Sequence, residues 1–444
     1  MAEALYNYYG KIVQNSQISS DWYQKYDVKK GLRDVDGKGV LAGLTNISAI
    51  HSFDEEGKEI PGILEFRGYN IKDIVGNLKV TNRFGFEEMA YLLLMGDLPT
   101  HQELEDFKSL LAKKRKLPKH FVRETILATS SADIMNSMSR CLLMLASYDE
   151  NVNDLSLENV LDQSFELIAN FPLLAIYAYQ SYYHYELGNS LFIHNPDPAL
   201  TTAENILRML RPDSSYTDME AKVLDIALIL HMEHGGGNNS TFTTHVVTSS
   251  GTDTYAAIAA ALSSLKGPKH GGANIRSRQM MKNIEENVSD WQDDAEISAY
   301  LEKILNKEAF DQKGLIYGIG HAIYSISDPR FEVFEGYVEA LAKEKGMEDE
   351  FALYEKVAKL APEVISKNRT TFKSICPNID FFSGFVYEIL GIPQELFTPL
   401  FAIARIVGWS AHRMEELINM NKIIRPAYES VLPSRNYVKI EERK

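Results

Sequence analysis

One histidine, His270, stands among chain breakers in the segment Leu265-Lys266-Gly267-Pro268-Lys269-His270-Gly271-Gly272-Ala273-Asn274, where no packing role is evident. Tyr255 to Leu262 is rich in alanine and reads as a helix that Gly267-Pro268 stops. Gly271-Gly272 permits close backbone approach before a second helix opens near Asn274. A histidine at such a helix start meets partial positive charge, which disfavours the imidazolium and leaves a neutral hydrogen-bond donor. That suits polarising a carbonyl group. The plain alternative is a turn histidine with no chemistry.

Four other segments carry groups that could join it in chemistry. His231-Met232-Glu233-His234 ends an apolar helix and runs into Gly235-Gly236-Gly237-Asn238-Asn239-Ser240. Two histidines three apart could share a metal, but the zincin pattern sets them four apart with Glu after the first, and it is absent. A polar pocket entrance is the better reading, and no metal ligand is assigned. Gly318-Ile319-Gly320-His321 lies in a loop ahead of Asp328-Pro329-Arg330. Its lone Gly-x-Gly makes a weak phosphate cradle, with no clear strand before it and no third glycine. His321 is either functional or a loop histidine. Pro377-Asn378-Ile379-Asp380 leads into an aromatic helix start, so Asp380 is either its N-cap or a base whose pKa the helix lowers and the aromatic neighbours raise. Arg405, in the apolar run Phe401-Ala402-Ile403-Ala404-Arg405, needs an anionic partner from protein or ligand, because burying an unpaired charge is costly. Arg425-Pro426 in the tail is open to reading as a surface charge.

The elements that must hold these groups are mostly helices. Strand signals are confined to Val40–Ile71, where Thr45, Ile47 and Ala49 alternate, Asp54 to Lys58 reads as a turn and Ile63 to Phe66 follows, giving a hairpin. From about residue 84 a helical period takes over, with Phe86, Ala90, Leu93 and Leu94 on one face. Thr100-His101-Gln102-Glu103 has the form of a capping box ahead of an apolar stripe of Leu104, Phe107, Leu110 and Leu111. Lys222 to Leu230 reads as a buried helix. Asp328-Pro329 starts another, with Phe331, Phe334, Val338 and Leu341 inward and Gly346 at its end. No internal repeat is evident. The fold class is mainly α with a minor β piece near the N-terminus.

Composition narrows the function classes. A chain of 444 residues with 45% hydrophobic and 24% charged residues can bury a sizeable core, as one large domain with a smaller one or as two of similar size. A net charge of -15 supplies no cationic face for nucleic acid, so anionic substrates would need local arginines. The two cysteines, Cys141 and Cys376, lack metal-ligand spacing and suggest a reducing compartment. With neither a signal-like N-terminus nor an apolar run of membrane length, no membrane association is expected and a cytoplasmic protein is.

Together these segments resemble the citrate synthase family, which includes the 2-methylcitrate synthases. The matching strings are Phe66 to Ile71, His231 to Phe242, Leu265 to Asn274, Gly318 to Arg330, Pro377 to Gly384, Ala404 to Trp409 and Ile424-Arg425-Pro426, in family order. Gly-Pro-x-His-Gly-Gly-Ala-Asn and Gly-His-Ala-x-x-x-x-x-Asp-Pro-Arg are specific in combination. The resemblance implies a helical homodimer. Residues 1–272 and 391–444 would form its large domain, and residues 273–390 a small domain that closes over the substrates. It implies condensation of oxaloacetate with acetyl-CoA, or with propionyl-CoA, followed by thioester hydrolysis. No cofactor is implied beyond the coenzyme A of the substrate. Asp380 matches the base that takes the α-proton, His270 the donor to the thioester oxygen, and His321 the group that polarises the ketone. His234, Arg330 and Arg405 match oxaloacetate ligands, and Arg425 an arginine supplied by the partner subunit.

There are departures from the family pattern. Ser325 stands where some members have a basic residue for coenzyme A phosphates, although Lys373 matches such a position. Glu233 and Gly235-Gly236-Gly237 depart from the commoner spelling. Too few residues precede the first matching strand for the N-terminal β domain with which some members bind a nicotinamide inhibitor. From other classes, the alternatives are a metal-dependent hydrolase using His231, His234 and a carboxylate, and an inactive helical partner protein.

Overall fold

The computed structural model describes residues 2–34, 38–369, 374–419 and 422–443. The chain divides into two compact units, one of Met1–Gly43 with Arg425–Lys444, the other of Leu44–Ile424. In the first, α1 (Ala2–Ser16) precedes α2 (Ser20–Lys25), whose N-cap Ser19 accepts a hydrogen bond from the Asp21 N–H at 3.4 Å. Arg425 belongs to this unit and is exposed. Lys373 falls outside the described residues.

The second unit opens with a small antiparallel sheet of β1 (Ser48–Phe53), β2 (Glu59–Phe66) and β3 (Tyr69–Asn70), in that order. Ser48 pairs with Phe66 and Phe53 with Glu59, around a turn in which Asp54 accepts hydrogen bonds from the Glu56 and Lys58 N–H groups. The hairpin thus forms as expected, with two differences. Thr45 and Ile47 precede the strand because the Thr45 hydroxyl accepts from the Ile47 N–H at 3.0 Å, a local turn bond that competes with extension. Beyond β2, Arg67-Gly68 turns the chain into the short β3.

Fifteen α-helices follow among the described residues. They begin with α3 (Ile71–Thr81), α4 (Phe86–Met95), α5 (His101–Lys114), α6 (Ile134–Leu145) and the long α7 (Leu157–Tyr185). The capping box predicted at Thr100 starts α5, and the same device recurs at Thr201 and Thr217, where α8 (Thr202–Leu210) and α9 (Asp218–Met232) begin. Next come α10 (Asn239–Thr248), α11 (Thr254–Lys266), α12 (Ala273–Asn287) and α13 (Asp294–Leu305). Asp328 caps α14 (Pro329–Lys345), which buries Phe331, Phe334, Val338 and Leu341 and ends at Gly346 in the left-handed region. The chain then forms α15 (Glu348–Asn368), α16 (Ile379–Ile389) and α17 (Phe397–Asn419).

Two helices, α9 and α17, make the centre. Their residues are buried almost all round, the pattern of a helix with neighbours on every side. Helix α17 packs on α7, α9, α10, α11 and α4. A second group forms where α16 packs on α12 and α14, and α15 on α13 and α14, while α14 also reaches α9 and β2. The mainly α expectation holds. No helix among the described residues is long and apolar enough to cross a membrane.

Candidate active site

The C-terminal end of α9 meets the middle of α17. A β-carbon at Gly408 would lie 2.4 Å from a Glu233 carboxyl oxygen and 2.7 Å from the Met232 carbonyl, so only glycine lets the two elements approach this closely. The approach buries Arg405. Its Nε donates to the His231 carbonyl at 2.6 Å, while its Nη1 has no partner among the described residues. The sequence demanded an anionic partner for this charge, and the protein supplies only part of one through the neighbouring Glu233. Burial lowers the Arg405 pKa to about 10. His231 and His234 are also buried, and burial together with the charges of Arg330 and Arg405 holds both well below the usual histidine range. Both are therefore neutral, and the Nε2 of His234 has no partner among the described residues.

The Gly318-Ile319-Gly320-His321 loop cradles no phosphate; it is laced to the start of α16. Gly320 N–H donates to Cys376 O at 2.7 Å, Asn378 N–H to Gly318 O at 2.9 Å, and the Asn378 side-chain amide to Gly320 O at 2.7 Å. A β-carbon at Gly318, whose φ is 78°, would lie 2.8 Å from the Phe381 Cα, so this glycine is where loop and helix touch. Asn378 is the N-cap of α16, accepting from the Asp380 N–H at 2.9 Å. Asp380 is thereby released from the capping role that the sequence left open, and its carboxyl accepts no hydrogen bond among the described residues.

His321 Nδ1 accepts hydrogen bonds from the Ile323 and Tyr324 N–H groups, each at 3.1 Å, which assigns the proton of a neutral ring to Nε2. Its ring stacks on Tyr324, with centroids 4.7 Å apart, and meets the edge of His234 at 5.0 Å. The Arg330 guanidinium lies over the same tyrosine at 5.8 Å and pairs with Asp328 through Nε at 3.0 Å and Nη2 at 2.7 Å. Burial disfavours the Arg330 cation, but Asp328 more than compensates and raises its pKa.

His270 sits in the turn between α11 and α12, its Nε2 3.1 Å from the Ser240 hydroxyl. That oxygen also receives the Trp409 indole N–H at 3.1 Å, and the hydroxyl donates to Asn238 Oδ1 at 2.9 Å. Burial, reinforced by Arg405, lowers the His270 pKa to about 4, so the ring is neutral at ordinary pH. The expected helix N-terminus is present, but burial is the larger cause. Burial also raises the Asp380 pKa to about 6, against the opposing pull of Arg330 and Arg405.

These effects draw the sequence candidates together. Arg405 acts on His231, His234, His270 and Asp380, and Arg330 acts on His231, His234 and Asp380. The site thus holds a carboxyl resisting ionisation, three neutral histidines and two buried guanidinium groups. It suits proton abstraction from a weakly acidic carbon beside a bound dianion. Of the remaining candidates, Arg425 lies in the first unit and Lys373 outside the described residues. Ser240, Trp409, Asn378 and Tyr324 were missed, because their roles depend on contacts between distant segments that no spacing announces. His231, which the hydrolase alternative needed as a ligand, packs against Phe401 with ring centroids 3.9 Å apart, and neither it nor His234 belongs to a group of metal-capable side chains among the described residues. A cavity of about 540 Å³ lined by Tyr69, Asp73, Arg83 and Leu98 includes none of the site residues.

Residues 32–427 match the family described as citrate synthase, C-terminal domain. The chain is 33% identical to the citrate synthase of Synechocystis over 87% of its own length and 88% of that protein. It is 32% identical to 2-methylcitrate synthase 2 of Corynebacterium glutamicum, covering 91% and 94% of the two chains. The fold is similar to that of Thermoplasma acidophilum citrate synthase in a ternary complex with carboxymethyl coenzyme A and oxaloacetate, with a TM-score of 0.75, 28% identity and coverage of 94% and 99%.

Proposed function

Because the chain belongs to the citrate synthase family, we propose that it condenses acetyl-CoA with oxaloacetate and hydrolyses the citryl-CoA so formed to citrate and coenzyme A. Arg405 carries most of this reading: a buried guanidinium with one unpartnered nitrogen, beside a second buried arginine and the neutral His234, is a receptor for a dicarboxylate. Arg330 holds the other carboxylate with the donors that Asp328 leaves, and His234 Nε2 adds a further contact.

Asp380 takes a proton from the methyl carbon of acetyl-CoA. Its raised pKa makes it a stronger base than an ordinary aspartate, and its freedom from capping leaves the carboxylate available. Electron density moves to the thioester oxygen, where His270 donates a hydrogen bond. That requires the ring proton on Nδ1, and therefore requires the Ser240 hydroxyl to turn its one proton from Asn238 Oδ1 to His270 Nε2 while it still accepts from Trp409. The enol carbon attacks the ketone carbon of oxaloacetate as His321 Nε2–H polarises the ketone oxygen and then protonates the alkoxide. Water finally cleaves the thioester.

Residues 273–390 act as a small domain that closes to exclude water, a division supported by the mutual packing of α12 to α16. The enzyme works as a homodimer in which Arg425 completes the partner's site and Lys373 meets coenzyme A. It is cytoplasmic, in keeping with two buried free cysteines. Initial-rate thiol release from acetyl-CoA tests the reaction. Release should require oxaloacetate; no release, or release without it, would contradict the proposal. Propionyl-CoA in the same assay reports acyl preference, since one methylene is worth about 1–3 kcal/mol.

A further inference from the structure

Beyond the oxaloacetate arginine, α17 carries a second buried polar cluster that condensation does not use. His245 on α10 and His412 on α17 turn ring nitrogens toward each other, Nε2 to Nδ1, at 3.1 Å, with ring centroids 5.0 Å apart. Glu415, one turn after His412, brings Oε2 to 3.7 Å from the same Nδ1. That oxygen has no hydrogen-bond partner among the described residues, although the residue is only 9% exposed and its other oxygen accepts from the Asn46 N–H at 2.6 Å. These three ligand atoms lie within 4.8 Å of one another.

The outer nitrogens of both rings also face carboxyl groups. His245 Nδ1 is 2.7 Å from Glu416 Oε2, and His412 Nε2 lies 3.1 Å from Glu233 Oε1 without a formed hydrogen bond among the described residues. Counting protons exposes a deficit. The Glu416 contact and the ring-to-ring contact each take one proton, and His412 Nε2 would need a third to face the Glu233 carboxylate, whereas two imidazoles carrying one proton each would bring only two. If the outer nitrogens keep the protons, two lone pairs confront each other at 3.1 Å. A cation between them resolves the conflict, and three carboxyl groups around the rings favour it. An outer carboxyl group on each ring is the arrangement by which metal-binding histidines are oriented. Two nitrogens around a tetrahedral zinc stand about 3.3 Å apart, close to the observed separation.

Gly236 leaves the cluster open on one side. A β-carbon there would lie 3.6 Å from His412 Cε1, 3.7 Å from His245 Nε2 and 3.9 Å from His412 Nδ1, and this residue is only partly buried. We propose that His245, His412 and Glu415 bind one divalent ion of the zinc class, with water completing a tetrahedron from the Gly236 side. The sequence assigned no metal because these ligands are dispersed over α10 and α17 and share no motif. The ion ties α10, α17 and, through Glu233, the segment after α9 into one support beside the oxaloacetate pocket.

The test is titration of the chelator-treated full-length protein with Zn²⁺ and with Co²⁺. One equivalent should bind per chain, with release of about one proton seen as buffer-dependent heat, and bound Co²⁺ should show the intense visible absorption of a tetrahedral site. Glu416→Gln, which nearly preserves side-chain volume, should weaken binding about 10- to 100-fold. Gly236→Val should block the open side while leaving the three ligands intact, and thermal melts of both variants check folding. Absence of saturable uptake by the unsubstituted protein would overturn the site and give the bridging position to a proton. Uptake unchanged in both folded variants would overturn it equally, by placing the bound ion elsewhere.

Discussion

Replacing Asp380 by Asn keeps the side chain's size and removes a charge that its surroundings resist, so it should stabilise the protein while disabling it. Burial moves the carboxyl from 3.8 to about 6, which corresponds to at most about 3 kcal/mol, the side chain being partly exposed. The acid ionises less readily folded than unfolded. Wild-type stability therefore falls as pH rises from 3.8 toward about 6 and carries the full cost above that. The Asn variant escapes this cost. Urea unfolding of both proteins at about pH 5 and about pH 8 should show the variant's advantage growing by about 1–1.5 kcal/mol. Thiol release by the variant should fall by about 10²- to 10⁴-fold, the usual contribution of a positioned base. A stability gap that stays constant with pH, or turnover near that of the wild type, would refute the reasoning.

The remaining expectations concern groups around that carboxyl. Ser240→Ala removes the hydroxyl that orients His270 and should lower kcat about 10- to 100-fold with little change in the KM for oxaloacetate, as for loss of one buried hydrogen bond; a change confined to KM would assign Ser240 to binding. Arg405→Lys loses the planar fork and should raise the oxaloacetate KM at least about 10-fold, and oxaloacetate should raise the melting temperature of the wild type but not of this variant. Arg425→Ala should weaken oxaloacetate binding, and mixed dimers with Arg405→Ala subunits should regain part of the activity. Without that rescue, a site shared between subunits is excluded.

Much of this site was legible because its chemistry is concentrated in short strings that local structure then explains. His270 lies between a helix stop and a helix start, Asp328-Pro329 caps α14 as its residues require, and Arg405 needed an anion because it sits in an apolar helix. What escaped the sequence depends on contacts across the chain. The sequence offered Asp380 as the cap of α16, and only the placement of Asn378, which accepts from the Asp380 N–H and is laced to the Gly318–Gly320 loop, gives the role to Asn378 instead. The Gly-x-Gly string is weak as a phosphate cradle, and its first glycine, Gly318, serves a close backbone approach to Phe381 that the spacing does not announce. Ser240 reaches His270 from 30 positions away and Trp409 from 169, beyond any periodicity. The same dispersal hid the pairing of His245 with His412.

The central claim is that a carboxyl pushed up to about 6 removes the proton from acetyl-CoA, with His270 neutral throughout. The pH dependence of kcat/KM for acetyl-CoA at saturating oxaloacetate tests it most directly. The rate should rise tenfold per pH unit below about 6 and level off above, as Asp380 ionises. An acid limb near 4, or a rate that declines as pH rises through 6, would contradict the claim.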